Sequence, residues 1–267
     1  MAESVHYLSI QEEQKEVLKI TKAIHAYCEK HGLRYVLCFG TLLGAVRHKG
    51  FIPWDNDMDI EMPRKDLERL VELTKQEPIA PEIRLFDLTT DQNFHYPIVR
   101  ACNIKTLSKP SYLREPIESM GIWVDIFPLD GVNRIKYPIQ RPVVWILMTL
   151  LNATVYRLPP EAKTKRFLQK IILKVFPNKN HRFERWLSAI CKWSPYDRSE
   201  KVWVLCDRPR WPMKKEIIEQ PILAPFEDTE LNIPQEPEKW LQIQYGDYMK
   251  LPPEENRIPH LTTSQYL

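Results

Sequence analysis

The sequence predicts an α/β fold, and three observations carry that prediction. A capping box opens a long amphipathic helix that runs into a short apolar strand. A second strand follows, with carboxylates at every second residue. Further short apolar strands follow in a group, with helical stretches before and after them. The chain has 267 residues, enough to bury a substantial core without staples, as one domain with a large insertion or as two lobes.

Taken in order, Ser9-Ile10-Gln11-Glu12 is the capping box, with the Ser and Glu side chains satisfying each other's backbone N–H groups. The helix it opens has apolar positions at Val17, Ile20, Ile24 and Tyr27/Cys28, and Gly32 is suited to close it. Tyr35-Val36-Leu37-Cys38-Phe39 reads as a buried strand that delivers the chain to Gly40 and a short helix ending near His48. The next strand is expected over about 56–61, and Pro63 fits the first turn of a helix over about 64–76. Strands are expected near Arg84–Leu88, Ile98–Thr106 and Gly121–Phe127, and Asp130-Gly131 reads as a turn. An apolar run follows, Val143 to Tyr156, then two basic helices near 161–176 and 180–193, a strand at Lys201–Cys206 and a helix near 236–245. These elements group as a core over 1–133, a helical basic insertion over 134–195, and a C-terminal part over 196–267 that completes the core.

Charge is distributed unevenly. The net charge is +3, yet Arg134–Lys192 holds 13 Lys/Arg against only Glu161 and Glu184, a net of +11 that leaves −8 elsewhere. Such asymmetry points to an anionic partner for one face. The apolar run lies in the same segment, which favours lipid head groups over nucleic acid. At 14 residues it is shorter than the roughly 20 a membrane span needs, which leaves a core helix or an interfacial one. The five cysteines show no paired spacing and fit reduced thiols. The first residues lack a basic, then apolar leader. The expected location is cytoplasmic and peripheral at the inner face of the membrane.

The chemistry concentrates between Gly40 and Ile60. In an extended strand, residues i and i+2 share a face about 6.6–6.8 Å apart, so Asp57 and Asp59 project together while Met58 and Ile60 face the core. Neighbouring carboxylates repel and raise each other's pKa. They suit one or two Mg²⁺ ions, with Mn²⁺ as a substitute, because hard cations take oxygen ligands and share them with phosphates. Asp55, at the mouth of the strand, is expected at the second ion or on a metal-bound water. Asn56 should point to the opposite face, so Asn56→Asp should be nearly neutral. Gly40 and Thr41 open a helix whose backbone N–H groups, with those of Leu42, can face an anion. Arg47, His48 and Lys49 form a cationic lining for a pyrophosphate, Arg47 foremost for its bidentate fork. Asp125, between Val124 and Ile126, is expected as a third carboxylate and as the base for an acceptor hydroxyl. Tyr248 and His260 are candidates near the C-terminus. Trp54, Tyr96, Trp123 and Tyr248 are candidates for an aromatic box around a quaternary ammonium. A phosphate cradle beside a metal strand reads as phosphoryl or nucleotidyl transfer.

Three blocks carry a resemblance to a known family. They are Gly40 to Asp55 with Asp57 and Asp59, Trp123-Val124-Asp125-Ile126-Phe127-Pro128-Leu129-Asp130, and Leu241 to Pro253. Together they resemble the LicD family, which includes bacterial phosphorylcholine transferases and, more remotely, fukutin and fukutin-related protein. The first block is specific and the other two mean little alone. Position 56, often Asp in the family, is Asn here. The resemblance implies a nucleotidyltransferase-like mixed sheet with Gly40-Thr41, Asp57/Asp59 and Asp125 as its signature. It also implies transfer of a phospho-alcohol, phosphocholine first, from CDP-choline to a hydroxyl of a glycan, lipopolysaccharide or teichoic acid precursor, with release of CMP. CDP-ribitol or CDP-glycerol as donor, direct nucleotidyl transfer releasing pyrophosphate, and an inactive glycan-binding protein are the alternatives.

Overall fold

The computed structural model describes residues 7–91, 93–114, 117, 119–206, 212–259 and 262–267. Helix α1 (Ile10–His31) forms the predicted capping box, and Gly32 closes it at φ 61°, a left-handed turn that glycine adopts without cost. Its buried stripe contains Val17, Ile20, Ile24, Tyr27 and Cys28. Strand β1 (Val36–Leu37) then delivers the chain to α2 (Phe39–His48), and β2 (Asp59–Pro63) leads without a break into α3 (Arg64–Thr74).

β3 (Ile83–Phe86), β4 (Val99–Asn103) and β5 (Thr106–Pro110) follow. The single strand expected over Ile98–Thr106 is two strands, because Asn103 makes a turn. Its Oδ1 accepts from Lys105 N (2.9 Å) and its carbonyl accepts from Thr106 Oγ1 (2.8 Å). β6 (Trp123–Val132) is the long central strand. The helical segment contains α4 (Tyr137–Val155), α5 (Lys163–Val175) and α6 (Arg182–Cys191). The chain ends with β7 (Lys201–Trp203), β8 (Met213–Lys214), α7 (Glu216–Glu219), β9 (Ile222–Phe226), β10 (Thr229–Ile233), α8 (Pro237–Tyr245) and β11 (Thr262–Tyr266).

The fold is α/β around a mixed seven-stranded sheet in the order β1-β2-β6-β4-β3, with β7 on the far half of β6 and β8 on β7. β2 runs parallel to β6 with Asp59 opposite Asp125, and β4 runs antiparallel to β6 with Arg100 opposite Asp125. One row across three strands therefore reads Asp59, Asp125, Arg100. On the opposite face of β2 and its entry, Met58, Ile60 and Met62 are fully buried, the alternation the sequence predicts.

Asp130 is a correction. It lies inside β6, not in a turn, and accepts from Arg64 Nε (2.9 Å) and Nη2 (2.6 Å). This buried bidentate pair ties α3 to the sheet. Removing one partner would strand a buried charge, at a cost of about 3–5 kcal/mol.

α4 is amphipathic. Val144, Leu147, Leu151 and Val155 are buried, and the helix packs on α6, while Trp145 stays 61% exposed. The apolar run thus serves the core with one face and presents the other outward. α5 buries none of its residues. All five cysteines are buried thiols.

Candidate active site

Asp57 and Asp59 stand between two cavities and line both. The first, about 500 Å³, is also bounded by Glu13, Asn56, Arg100, Tyr112, Trp123 and Asp125. The second, about 630 Å³, is bounded by Gly40, Arg47, Trp54, Asp55, Tyr248 and Lys250. Two substrates meeting at the carboxylates can each occupy one cavity.

The second cavity is built on the start of α2. Phe39 enters the helix at φ 47°, a strained conformation for a residue with a side chain. Its ring is held edge-on by Phe127 (5.1 Å between centroids) and Trp240 (5.5 Å). Gly40 follows, and a Cβ there would sit 2.8 Å from Asp55 Oδ2, so the glycine admits that carboxylate beside the helix start. Thr41 is buried, and its Oγ1 accepts from Asp59 N (2.8 Å), which fixes the start of β2 to α2. Leu42 N–H is not an anion donor, because the helix starts at Phe39 and this group bonds Cys38 O (3.0 Å).

Arg47 lines the cavity and donates from Nη1 to Tyr248 O (3.1 Å), which joins α2 to the segment after α8. His48 and Lys49 line neither cavity. His48 receives Arg47 Nε (2.9 Å), and burial, then Arg47, pull its imidazole below the ordinary value. Lys49 is the left-handed cap of α2 (φ 57°) and is exposed. Of the predicted cationic triplet, Arg47 alone reaches the cavity. His260 lies outside the described residues.

The first cavity holds Asp125. Its Oδ1 accepts from Arg100 Nε (2.6 Å), and the guanidinium lies 4.0 Å from the Tyr96 ring centroid and 4.5 Å from that of Trp123. These two rings therefore already face a cation of the chain itself, and Trp54 carries Arg257 at 5.4 Å. Trp54 and Tyr248 line one cavity and Trp123 the other, so the four aromatic candidates do not form one box. Arg100 is a residue the sequence reading missed. Its signal was a charge between Val99 and Ala101 in an apolar strand, the same signal that exposed Asp125.

Asn56 is buried on the same side as Met58 and Ile60, as the alternation predicts, yet it also reaches the first cavity. A turn at 52–55, closed by Asp55 N on Ile52 O (2.9 Å), precedes it, and β2 begins at Asp59. Asn56 is 7% exposed, lines the first cavity and donates from Nδ2 to Glu13 Oε2 (2.5 Å). Gln14 Nε2 holds Asp55 O (2.8 Å). The first turn of α1 thus positions the acidic loop.

Burial, then the carboxylates of Asp59, Asp55 and Asp125, push the Asp57 carboxyl well above the ordinary range. All four groups offer oxygen donors, and their mutual repulsion is the condition a divalent cation relieves. The residues present therefore fit Mg²⁺ or Mn²⁺.

Residues 32–140 match the family model described as LicD/FKTN/FKRP, nucleotidyltransferase domain. A Haemophilus influenzae protein, lipopolysaccharide cholinephosphotransferase LicD, is 30% identical over 271 residues, which covers 97% of this chain and 98% of that one. An uncharacterized Rickettsia typhi protein is 30% identical over 124 residues, 46% of this chain and 37% of its own. An uncharacterized Rickettsia prowazekii protein is 40% identical over 58 residues, 22% of each chain.

Proposed function

The chain belongs to the LicD family, and from that membership we propose that it is a phosphotransferase that moves phosphocholine from CDP-choline to a hydroxyl of a lipopolysaccharide-type glycan, releasing CMP. The observation that carries the reading is the position of Asp57 and Asp59 on the ridge between two cavities, each large enough for one substrate.

In this reading the CMP part of the donor occupies the cavity of Gly40, Arg47 and Tyr248. Arg47 holds phosphate oxygens through its fork. Asp55, Asp57, Asp59 and Asp125 would hold one or two Mg²⁺ ions, which would supply neutralisation of charge at the transferring phosphorus. The acceptor approaches through the cavity of Trp123 and Asp125. Asp125, fixed by Arg100, takes the proton of the attacking hydroxyl. Asp59 is held by Thr41 on its own backbone N–H, so the ridge between donor and acceptor stays rigid.

The acceptor is proposed to be lipid-linked. No helix among the described residues is long and apolar enough to cross a membrane. The segment 134–195 nonetheless exposes Trp145, Phe167, Leu168 and Val175 among its basic residues, a composition suited to lying in an anionic interface. The three domain boundaries expected from the sequence stand as part of this proposal.

The test is product analysis. The protein is incubated with Mg²⁺, a glycan acceptor and a panel of CDP-choline, CDP-ribitol and CDP-glycerol. CMP release with CDP-choline and a phosphocholine-bearing product supports the reading. Pyrophosphate release from a nucleoside triphosphate would replace it with nucleotidyl transfer, and turnover of another CDP ester alone would change the alcohol.

A further inference from the structure

A second polar cluster lies where the helical segment meets the sheet, outside both cavities of the proposed active site. Glu184, in the first turn of α6, is fully buried. Its Oε1 is 2.7 Å from His95 Nδ1 and 3.7 Å from His181 Nδ1. Asn178 Nδ2 donates to both Glu184 oxygens at 2.8 Å. The orientation of that amide is fixed, because Asn178 Oδ1 accepts from Phe183 N (3.0 Å). The two imidazoles lie with centroids 4.8 Å apart. One donor atom from each of His95, His181 and Glu184 lies within 4.8 Å of the others.

Hydrogen bonding leaves this cluster incomplete. His181 Nδ1 is buried and has no hydrogen-bond partner, because 3.7 Å to Glu184 is too long for one. A buried nitrogen left so costs free energy, while Glu184, with donors from Asn178 and His95, is a fully buried carboxylate that a cation would stabilise further. The loop also spends backbone strain on the arrangement, since Asn180 (φ 52°) and His181 (φ 51°) are consecutive left-handed residues without glycine. A zinc-class ion would give His181 Nδ1 its missing partner, add a cation to the buried carboxylate and offset the cost of the loop's strain. Bonds of about 2.0–2.1 Å give a tetrahedral edge of about 3.3–3.4 Å; the two contacts to Glu184 are 2.7 and 3.7 Å and all three donor atoms lie within 4.8 Å of one another, so side-chain rotations close the set around an ion. Nitrogen-rich donors favour Zn²⁺ over Mg²⁺. A cavity of about 240 Å³ bounded by His95 and Asn178, but not by His181 or Glu184, adjoins the cluster and gives a water a route to it.

We propose that His95, His181 and Glu184 form a Zn²⁺ site, oriented by Asn178, that clamps the helical segment onto the entry to β4. The site joins residue 95 to α6. It sits next to Tyr96, whose ring covers Arg100 and through it Asp125. Its role is therefore positional with respect to the first cavity.

The test uses the full chain, stripped by chelator and returned to buffer with excess Mg²⁺ so that the aspartates are already supplied. Zn²⁺ is titrated calorimetrically, and Co²⁺ is added separately as a visible probe. The expected result is one equivalent of Zn²⁺, a Co²⁺ spectrum with the intense bands of four-coordination, and a thermal midpoint raised by Zn²⁺. His95→Gln and His181→Gln should weaken Zn²⁺ binding by more than about a hundredfold, and Asn178→Ala by about ten- to a hundredfold. Absence of the four-coordinate Co²⁺ bands in the wild type overturns the proposal whatever the variants do. So does Zn²⁺ uptake that the His95→Gln and His181→Gln variants leave unchanged, which would place the ion on the aspartates.

Discussion

Asn56→Asp tests the contact between the acidic loop and α1 more sharply than any other single change. Strand position alone predicts a near-neutral substitution. In the structure the new carboxylate would face Glu13 at the site of a 2.5 Å hydrogen bond, with residues 56 and 13 only 7% and 5% exposed. Two unit charges about 4 Å apart at an effective dielectric of about 20 repel by about 4 kcal/mol. Taking up a proton is the alternative, and at pH 7 a carboxyl of ordinary pKa near 4 does so at a cost of about 4 kcal/mol. The two routes agree, so the expected destabilisation is about 3–5 kcal/mol at pH 7. At pH 5 proton uptake costs only about 1.4 kcal/mol, so the loss should shrink with it. In a Glu13→Gln background the new Asp gains an amide donor, and the double-mutant cycle should return a coupling of at least about 2 kcal/mol. The assay is urea unfolding in metal-free buffer at both pH values. A loss below about 1 kcal/mol at pH 7, or the same loss with Gln at position 13, would refute the contact as the cause.

Arg47→Ala should raise the donor KM by about ten- to a hundredfold, the worth of one charge-assisted contact, and leave the acceptor KM unchanged. Arg47→Lys should recover only part, and equal effects on both substrates would move Arg47 out of the donor cavity. Glu61 is buried on β2 and accepts from Trp240 Nε1 (3.0 Å), and burial pushes its carboxyl up to about 8. The folded state therefore keeps a proton that the unfolded state loses, so wild-type stability should fall between about pH 4.5 and 8. Glu61→Gln, which keeps an acceptor for the indole, should flatten that slope in metal-free unfolding curves, and an unchanged slope would contradict it. The chain should pellet with anionic liposomes and much less with neutral ones. Charge reversal at Lys163, Lys165, Arg166 and Lys170 should lower activity on a lipid-linked acceptor and spare a short soluble one. No binding at low salt would remove the peripheral-membrane reading.

Much of the sheet was legible because burial enforces period. Met58 and Ile60 had to face the core, which put Asp57 and Asp59 on the other face, while Asp59 came to lie opposite Asp125 through the register of β2 on β6. The capping box at Ser9 and the glycine at 32 fixed α1 by local chemistry. What was not legible came from partners distant in sequence. Asn56 is held by Glu13, 43 residues away, and Asp130 is held in a strand by Arg64, 66 residues away. The split between β4 and β5 depends on one Asn103 turn inside an otherwise strand-like run. The cationic triplet 47–49 was read as one lining, but a helix distributes consecutive side chains around its axis, and only Arg47 faces the cavity. Arg100 was visible as a charge among apolar residues, yet its pairing with Asp125 required the register of β4 on β6.

The central claim is that Asp57 and Asp59 are the metal-binding ridge between donor and acceptor, and CMP release measured across a Mg²⁺ titration tests it most directly. With saturating CDP-choline and acceptor, Asp57→Asn and Asp59→Asn should each lose about 3 kcal/mol or more of transition-state stabilisation, a hundredfold or greater fall in rate. Added Mg²⁺ should not restore it, and the unfolding midpoint should not drop. Retention of more than about a tenth of the wild-type rate by either variant at saturating Mg²⁺ would contradict the account.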